Sequence, residues 1–226
     1  MDKLALEFGD IETWIFDLDN TLYHSSINLF SQIDRRMCDY VSKILKISAS
    51  EAYKVQKSLF REHGTTLRGM MELYNMDPGP YLDYVHDIDF SFIKPDSVLA
   101  NSLKAIPAQK IIFTNATASY ARQVIKCLQI DNHIENIFDI VDAGYIPKPA
   151  PEIYSQFIDK FNINANKAIM VEDMARNLVP AAKLGMKTVW VKTGQTWAHN
   201  GIETIKPDYI TDNLSQWLAM ITGNSN

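Results

Sequence analysis

The sequence predicts an α/β protein that is built on a doubly wound parallel sheet, with a block of helices inserted after the first strand. A short apolar strand, Thr13–Phe16, runs directly into polar residues, and residues 27–92 carry only helical patterns. From about residue 108 onwards, short apolar runs alternate with helical patterns. Such alternation favours a parallel sheet with right-handed crossovers, so we expect the first strand to join that sheet.

The candidate strands of the core are runs of bulky apolar residues without polar alternation, which is typical of parallel strands that are buried on both faces. They are "KIIFTN", "IFDIVDA", "KAIMVED", "KTVWVK" and "DYIT". Segments with helical spacing, such as "ASYARQVIKCLQ" and "PEIYSQFIDKF", lie between them. We therefore expect one α/β core that is formed by residues 1–23 and 95–226.

The inserted block is interpreted as a small helical cap of residues 24–94. Apolar residues recur at spacings of three and four in its first helix, and Ser48 with Glu51 has the pattern of a capping box for the next helix. Gly64 can end that helix and Thr65 can begin another. The same polar loop, up to Arg68, could instead contact a substrate, and the sequence leaves both interpretations open.

Composition excludes several classes of protein. The chain has 226 residues, of which 46% are hydrophobic and 22% are charged, as in ordinary globular proteins. Its net charge of −5 is spread along the chain without a basic stripe, which argues against a nucleic acid polymer as partner.

No apolar run approaches the ~20 residues of a membrane span. Because Cys38 and Cys127 form no disulfide framework and the start lacks a signal peptide, we expect a cytoplasmic protein without a membrane partner. The oligomeric state is left open.

Polar residues cluster at predicted strand ends and in one loop. They are Asp17 and Asp19 after the first strand, Thr114 and Asn115 after the second, Lys148 in a loop, and Glu172 and Asp173 at the end of "KAIMVED". Because ligands bind at the carboxyl ends of the strands in open α/β sheets, we expect these side chains to meet at one edge. Each element alone is common in loops and turns, so the prediction depends on their combination. Carboxylates that are brought together in this way would repel one another unless a cation such as Mg²⁺ lies between them.

The four motifs, D-L-D-N-T from Asp17, T-N from Thr114, K-P from Lys148 and E-D from Glu172, resemble the signature of haloacid dehalogenase-like hydrolases. The inserted helices resemble the C1-type cap of that superfamily. Within it, "DLDNTLY", "GTTLRG" and "VEDMARN" are most similar to the pyrimidine 5′-nucleotidase subfamily. The resemblance implies a Mg²⁺-dependent phosphatase that hydrolyses pyrimidine nucleoside 5′-monophosphates, or another small phosphomonoester, through an aspartyl-phosphate.

The same resemblance assigns a role to each motif residue. It implies that Asp17 is the nucleophile and that Asp19 is the general acid and base. Thr114, Asn115 and Lys148 would bind the phosphate. The metal would be held by Asp17, by the backbone carbonyl of Asp19 and by Asp173, with the part played by Glu172 left open. An acid at position 19 favours phosphoryl transfer, because halide leaves without a proton.

Three alternatives stay open. A sugar phosphatase or sugar phosphomutase of the same superfamily would share every core motif and differ only in the cap. A phospho-receiver signalling domain also places acids, Thr and Lys at a sheet edge, but in it the acidic pair comes first along the chain. A catalytically silent relative would lack a motif residue. The loop 194–201 is interpreted as a surface loop without an assigned function.

Overall fold

The computed structural model describes residues 7–224 and contains one six-stranded parallel sheet in the order β3-β2-β1-β4-β5-β6. The strands are β1 (Thr13–Phe16), β2 (Gln109–Phe113), β3 (Asn136–Phe138), β4 (Ala168–Glu172), β5 (Lys187–Val191) and β6 (Tyr209–Thr211). The α/β doubly wound fold that the sequence predicts is therefore confirmed, including the place of the first strand.

The centre of the sheet explains the apolar character of its strands. Ile15 of β1 lies opposite Ile111 of β2 on one side and Met170 of β4 on the other, and all three side chains are completely buried. The chain runs outward from β1 to β3 in one direction and from β4 to β6 in the other. The crevice of a doubly wound sheet opens where the strand order reverses, so the ends of β1 and β4 are the expected ligand site.

The segment between β1 and β2 is helical, as predicted. Its first four helices, which we call the helical segment, are α1 (Leu29–Leu45), α2 (Ala49–His63), α3 (Thr66–Tyr74) and α4 (Pro78–His86). The capping box is confirmed, because Ser48 accepts from the backbone of Glu51 and the Glu51 side chain accepts from Ser48. The helical segment also has its own small apolar cluster, which includes Val41 and Met70. Its boundary as a separate cap domain, residues 24–94, stays a prediction.

Five further helices surround the sheet: α5 (Ser97–Ala105), α6 (Ala118–Leu128), α7 (Pro151–Phe161), α8 (Ala175–Lys183) and α9 (Leu214–Thr222). Helix α5 is not among the elements predicted from the sequence, although Asp96 caps it by accepting from the backbone of Leu99. Among residues 7–224, no helix combines the length and the apolar composition that crossing a membrane requires.

One predicted strand is much shorter than expected. The run "IFDIVDA" was predicted as a strand over its whole length, but β3 ends at Phe138. The reason is Asp139, whose carboxylate accepts hydrogen bonds from the backbone of Ala118, Val141 and Asp142. Those bonds turn the chain away from the sheet and tie it to the start of α6, because Asp side chains that bind nearby backbone favour turns.

Candidate active site

The ends of β1 and β4 bring together three buried carboxylates. Asp17 follows β1 and its backbone donates to the carbonyl of Val171 in β4 at 2.9 Å, so the two strands are still paired at the sheet edge. Asp17, Glu172 and Asp173 each offer an oxygen, and these oxygens lie within 4.8 Å of one another. The spacing expected for two carboxylates that share one ion is therefore present between Asp17 and Asp173.

Lys148 supplies positive charge inside this cluster. Its Nζ donates to Asp17 Oδ1 at 2.8 Å, to Glu172 Oε2 at 2.7 Å and to the carbonyl of Phe113 at 2.7 Å. The side chain is 1% exposed, so all of its donors face protein atoms or the enclosed site. The structure thus places Lys148 beside the predicted nucleophile, at the sheet edge where the sequence predicts that the two meet.

The cluster sets three carboxylates against the single ammonium group of Lys148, and this excess of negative charge affects the pKa values of its members. Burial, together with the neighbouring charges of Glu172 and Asp19, raises the pKa of Asp17 to about 7 in spite of the opposing effect of Lys148. Burial and Glu172 also raise the pKa of Asp173 well above its usual value. For Lys148, burial lowers the pKa, but the two carboxylates outweigh it and the pKa is raised.

The donor set fits a hard divalent cation. Three carboxylates face one ammonium group, and Asp173 Oδ2 is buried with no hydrogen-bond partner among the described residues. Oxygen ligands of this kind are those that Mg²⁺ prefers. Glu172, whose place was left open, belongs to the group, whereas the carboxylate of Asp19 does not. Any contribution of Asp19 to a metal would come from its backbone carbonyl, as the resemblance implies.

The predicted phosphate-binding residues of the second motif lie at the end of β2. The Thr114 hydroxyl, on a buried side chain, accepts from the backbone of Ala116 at 3.0 Å. The Asn115 side chain accepts from the backbone of Lys148 at 2.8 Å and so fixes the loop that carries this lysine. This bridge between the second and third motifs could not be predicted, because no sequence spacing indicates it.

Asp19 lies in a different environment from Asp17. Its Oδ1 accepts hydrogen bonds from the hydroxyls of Tyr23 and Tyr120, each at 2.6 Å. Burial raises the pKa of Asp19, while the hydrogen bonds from the two tyrosines oppose that shift. Sequence reasoning missed both tyrosines. Tyr23 follows the first motif directly and could have been suspected, but Tyr120 is 101 residues away from Asp19.

The helical segment lies directly against this edge of the sheet. Gly64 ends α2 with φ +83°, and a Cβ at this position would come within 3.3 Å of Pro147 Cγ, beside Lys148. The carbonyl of Gly64 accepts from Arg176 Nη2 at 3.0 Å. A left-handed conformation and a close neighbour both favour glycine here. The loop that follows α2 therefore covers the lysine loop and the start of α8.

The polar side chains of that loop are used within the helical segment. Thr65 caps α3 by accepting from the backbone of Arg68 at 3.1 Å. Thr66 is buried, and its hydroxyl faces the carbonyl of Gln56 in α2. Arg68 pairs with Glu72 one turn further along α3. Of the two interpretations that the sequence left open, capping is confirmed for Thr65, and none of these side chains contacts the edge of the sheet in the described structure.

The loop 194–201 connects the core with the helical segment, which the interpretation as a free surface loop missed. The ring of Trp197 lies 6.4 Å from that of Phe30 and 6.2 Å from that of Phe60, which belong to α1 and α2. Arg176 lies over the Phe60 ring, 4.6 Å from its centre. Aromatic contacts at these distances contribute to stability beyond simple burial, so the loop helps to hold the helical segment over the site.

Comparison with known proteins relates the chain to one large family. The sequence model of the family described as haloacid dehalogenase-like hydrolase matches residues 14–191. A glyceraldehyde 3-phosphate phosphatase of Pyrococcus furiosus is 25% identical, over 93% of both chains. Phosphate metabolism protein 8 of Saccharomyces cerevisiae is 24% identical over 77% of this chain and 60% of its own length. The pyrophosphatase PpaX of Bacillus mycoides is 21% identical over 94% of this chain and 97% of its own.

Solved structures show the same fold. A haloacid dehalogenase-like phosphatase from Thermococcus onnurineus superposes with a TM-score of 0.62 at 20% identity and covers 94% of this chain and 98% of its own. A structure described as a putative beta-phosphoglucomutase from Thermotoga maritima gives a TM-score of 0.59 at 15% identity, over 96% of this chain and 100% of its own. Both similarities extend over the sheet and the helices inserted into it.

Proposed function

Because this chain belongs to the family of haloacid dehalogenase-like hydrolases, we propose that it is a Mg²⁺-dependent phosphomonoester hydrolase that works through an aspartyl-phosphate. The observation that supports the proposal most is the pair of acids at the end of β1. Asp17 lies in the buried cluster with Lys148, Glu172 and Asp173, while Asp19 is held apart by two hydroxyl donors. A nucleophile and a proton donor need such different surroundings.

In the first step, a carboxylate oxygen of Asp17 attacks phosphorus. The bond between phosphorus and the leaving oxygen breaks, and Asp19 gives its proton to that oxygen, so that an alcohol departs. Lys148 Nζ, 2.8 Å from Asp17 Oδ1, is placed to neutralise charge on the transferred group. Thr114 and the backbone of Asn115, at the end of the neighbouring strand, are the proposed contacts to its oxygens.

In the second step, the carboxylate of Asp19 takes a proton from water. The water oxygen attacks phosphorus, the bond between phosphorus and Asp17 breaks, and inorganic phosphate leaves. Asp17 is restored as a carboxylate and Asp19 as an acid, so both residues are ready for another turnover. Bound Mg²⁺, held by Asp17, Asp173 and the backbone carbonyl of Asp19 with Glu172 beside them, would neutralise phosphoryl charge.

For the substrate we propose a pyrimidine nucleoside 5′-monophosphate. The proposal rests on the three stretches that resemble pyrimidine 5′-nucleotidases, "DLDNTLY", "GTTLRG" and "VEDMARN". Two of them meet in the structure, because the carbonyl of Gly64, the first residue of "GTTLRG", accepts a hydrogen bond from Arg176 of "VEDMARN". Since the side chains of Thr65 and Thr66 serve the helices, recognition by this loop would depend on its backbone.

A small sugar phosphate is the second candidate. It is favoured by the name of the relative from Pyrococcus furiosus, a glyceraldehyde 3-phosphate phosphatase that is similar over nearly its whole length. A phosphomutase would share the same site.

The two cysteines, Cys38 and Cys127, are free thiols in the structure, which is compatible with the proposed cytoplasmic location.

A substrate screen tests both the phosphatase assignment and the pyrimidine nucleotide assignment. Release of phosphate is measured with Mg²⁺ for UMP, CMP, AMP, GMP, glyceraldehyde 3-phosphate and a hexose phosphate, and sugar products are examined for isomerisation. We expect the largest kcat/KM for UMP or CMP and no activity after chelation. If a sugar phosphate or AMP is preferred by tenfold, about 1.4 kcal/mol in transition-state binding, the pyrimidine assignment is wrong and the phosphatase assignment stands. Absence of release from every ester would contradict the phosphatase.

A further inference from the structure

Two buried tyrosines converge on one oxygen of Asp19. The hydroxyl of Tyr23, from the loop after β1, and that of Tyr120, from α6, each donate to Oδ1 at 2.6 Å. The other oxygen, Oδ2, has no hydrogen-bond partner among the described residues. The carboxylate is thus held at one oxygen and open at the other.

Both hydroxyls are donors at neutral pH. Burial, followed by the charge of Asp19, raises the pKa of each phenol well above its usual value, so both stay protonated. Each tyrosine already fills the apolar core, where Tyr23 is 4% exposed and Tyr120 is 1% exposed. A phenylalanine would fill the same space, so the packing alone does not account for the two hydroxyls.

The position of Tyr120 is also fixed from the other side. The ring of His86, at the end of α4 in the helical segment, stacks on the Tyr120 ring with centres 4.6 Å apart and planes at 17°. His86 Nδ1 lies 3.2 Å from the hydroxyl of Thr117, at the start of the helix that carries Tyr120. Contacts from both the helical segment and the core therefore fix the position of the Tyr120 hydroxyl.

We propose that Tyr23 and Tyr120 are positioning residues that hold Asp19 Oδ1 and so direct Oδ2, with its proton, to the leaving oxygen. The inference rests on the proposed function, since it concerns proton transfer in that reaction. In the first step, the Oδ2–H bond breaks as the leaving oxygen gains the proton and its bond to phosphorus breaks. The hydroxyls of both tyrosines keep their protons throughout. A well-oriented donor lowers the barrier only where the leaving group needs a proton.

Leaving-group dependence tests this role. The variants Tyr23→Phe, Tyr120→Phe and the double variant are compared with the wild type on two substrates with Mg²⁺ present. One is the alkyl phosphomonoester with the largest kcat/KM in the screen, and the other is p-nitrophenyl phosphate, whose leaving group departs without a proton. Because kcat/KM reports the steps up to loss of the alcohol, we expect about a tenfold loss for each single variant on the alkyl ester, since the hydrogen bonds to Oδ1 strengthen as Asp19 loses its proton and becomes charged. With p-nitrophenyl phosphate we expect less than about a threefold change.

Tyr154→Phe is the matched control. Tyr154 is also fully buried, and its hydroxyl donates at 2.6 Å, but to the carbonyl of Asn177 rather than to Asp19. It should change kcat/KM for both substrates by the same factor. Equal losses on both substrates for Tyr23→Phe and Tyr120→Phe would overturn the inference, and so would unchanged activity on the alkyl ester.

A second readout does not depend on activity. In urea unfolding, the effects of Asp19→Ala and Tyr120→Phe on the free energy of unfolding should be non-additive, because both remove the same contact, whereas those of Asp19→Ala and Tyr154→Phe should be additive. Additivity for Tyr120 and Asp19 would overturn the inference even if the protein hydrolysed no phosphomonoester. That lack of hydrolysis would itself contradict the proposed function, so the two failures are distinguishable.

Discussion

The sheet edge and the loop of the helical segment above it use similar polar residues in opposite ways. At the edge, Asp17 and Asp173 are buried among like charges, and Asp173 Oδ2 has no partner in the described part of the chain. In the loop, Thr65 caps a helix and Arg68 pairs with Glu72, so the polar groups are satisfied locally. Buried polar groups in native proteins are nearly always satisfied, and the exceptions point to function. Chemistry is therefore expected at the edge, while the loop side chains maintain structure.

The strongest test of the edge is removal of the proposed nucleophile. Asp17→Asn keeps the shape of the side chain but removes the attacking charge, so we expect kcat for phosphate release to fall at least ~10³-fold. Asp142→Asn is a matched control, because Asp142 forms a surface pair with Lys160. The control should retain the wild-type rate. Near-normal turnover of Asp17→Asn would mean that another residue attacks phosphorus.

Lys148→Met tests the charge balance of the edge through stability. It leaves Asp17 and Glu172 buried without their ammonium partner, so we expect the free energy of unfolding at pH 7 without metal to fall by about 3–5 kcal/mol. Mg²⁺ should restore part of the loss, because it binds the folded state. Urea unfolding with EDTA and with Mg²⁺ measures both quantities.

A surface lysine gives the control for that loss. Lys167 pairs with Glu12 at 2.7 Å, and its side chain is 46% exposed. Lys167→Met should therefore leave the free energy of unfolding close to the wild-type value, with or without Mg²⁺. A loss of similar size in both lysine variants would show that the loss in Lys148→Met does not come from its buried pairing with Asp17 and Glu172.

Much of this comparison could be predicted from the sequence, because the edge follows from the fold. Parallel strands end at one edge, so Asp17, Lys148 and Asp173 could be placed together from their positions at strand ends and in one loop. The short strand β3 could not be predicted, because the carboxylate of Asp139 reaches across to the backbone of α6. The tyrosines on Asp19 were missed for the same physical reason, since Tyr120 comes from a distant helix. Contacts between remote segments leave no periodic signal in one sequence.

The junction between the helical segment and the core is expected to be sensitive to acid. Burial lowers the pKa of His86 from 6.5 to about 4 in the folded protein. Between these values the unfolded chain binds more protons, so stability should fall as pH drops from about 6.5 to 4 and should not depend on this group above 6.5. After allowance for the partial exposure of His86, we expect the free energy of unfolding to fall by about 2 kcal/mol over this pH range.

His86→Gln isolates this contribution from that of the buried carboxylates. The free energy of unfolding of the wild type and the variant should run parallel above pH 6.5 and converge or cross between pH 6.5 and 4, because the variant has no proton to bind. Urea unfolding at half-unit intervals of pH measures the difference. Parallel curves over the whole range would show that burial does not keep His86 neutral in the folded protein.

The smallest effect is expected in the loop, at Arg68. Its guanidinium pairs with Glu72 on the same helix, its side chain is 32% exposed, and exposed pairs of this kind contribute little. Arg68→Ala should therefore change kcat/KM for UMP and CMP by less than about threefold, or ~0.6 kcal/mol. Glu72→Gln is the companion variant, because it weakens the pair without removing the arginine. If Arg68→Ala instead lowers kcat/KM for the pyrimidine nucleotides tenfold while a sugar phosphate is unaffected, Arg68 must leave Glu72 to contact the base. The loop would then recognise the substrate through a side chain as well as stabilise the helices, and its contrast with the sheet edge would no longer hold.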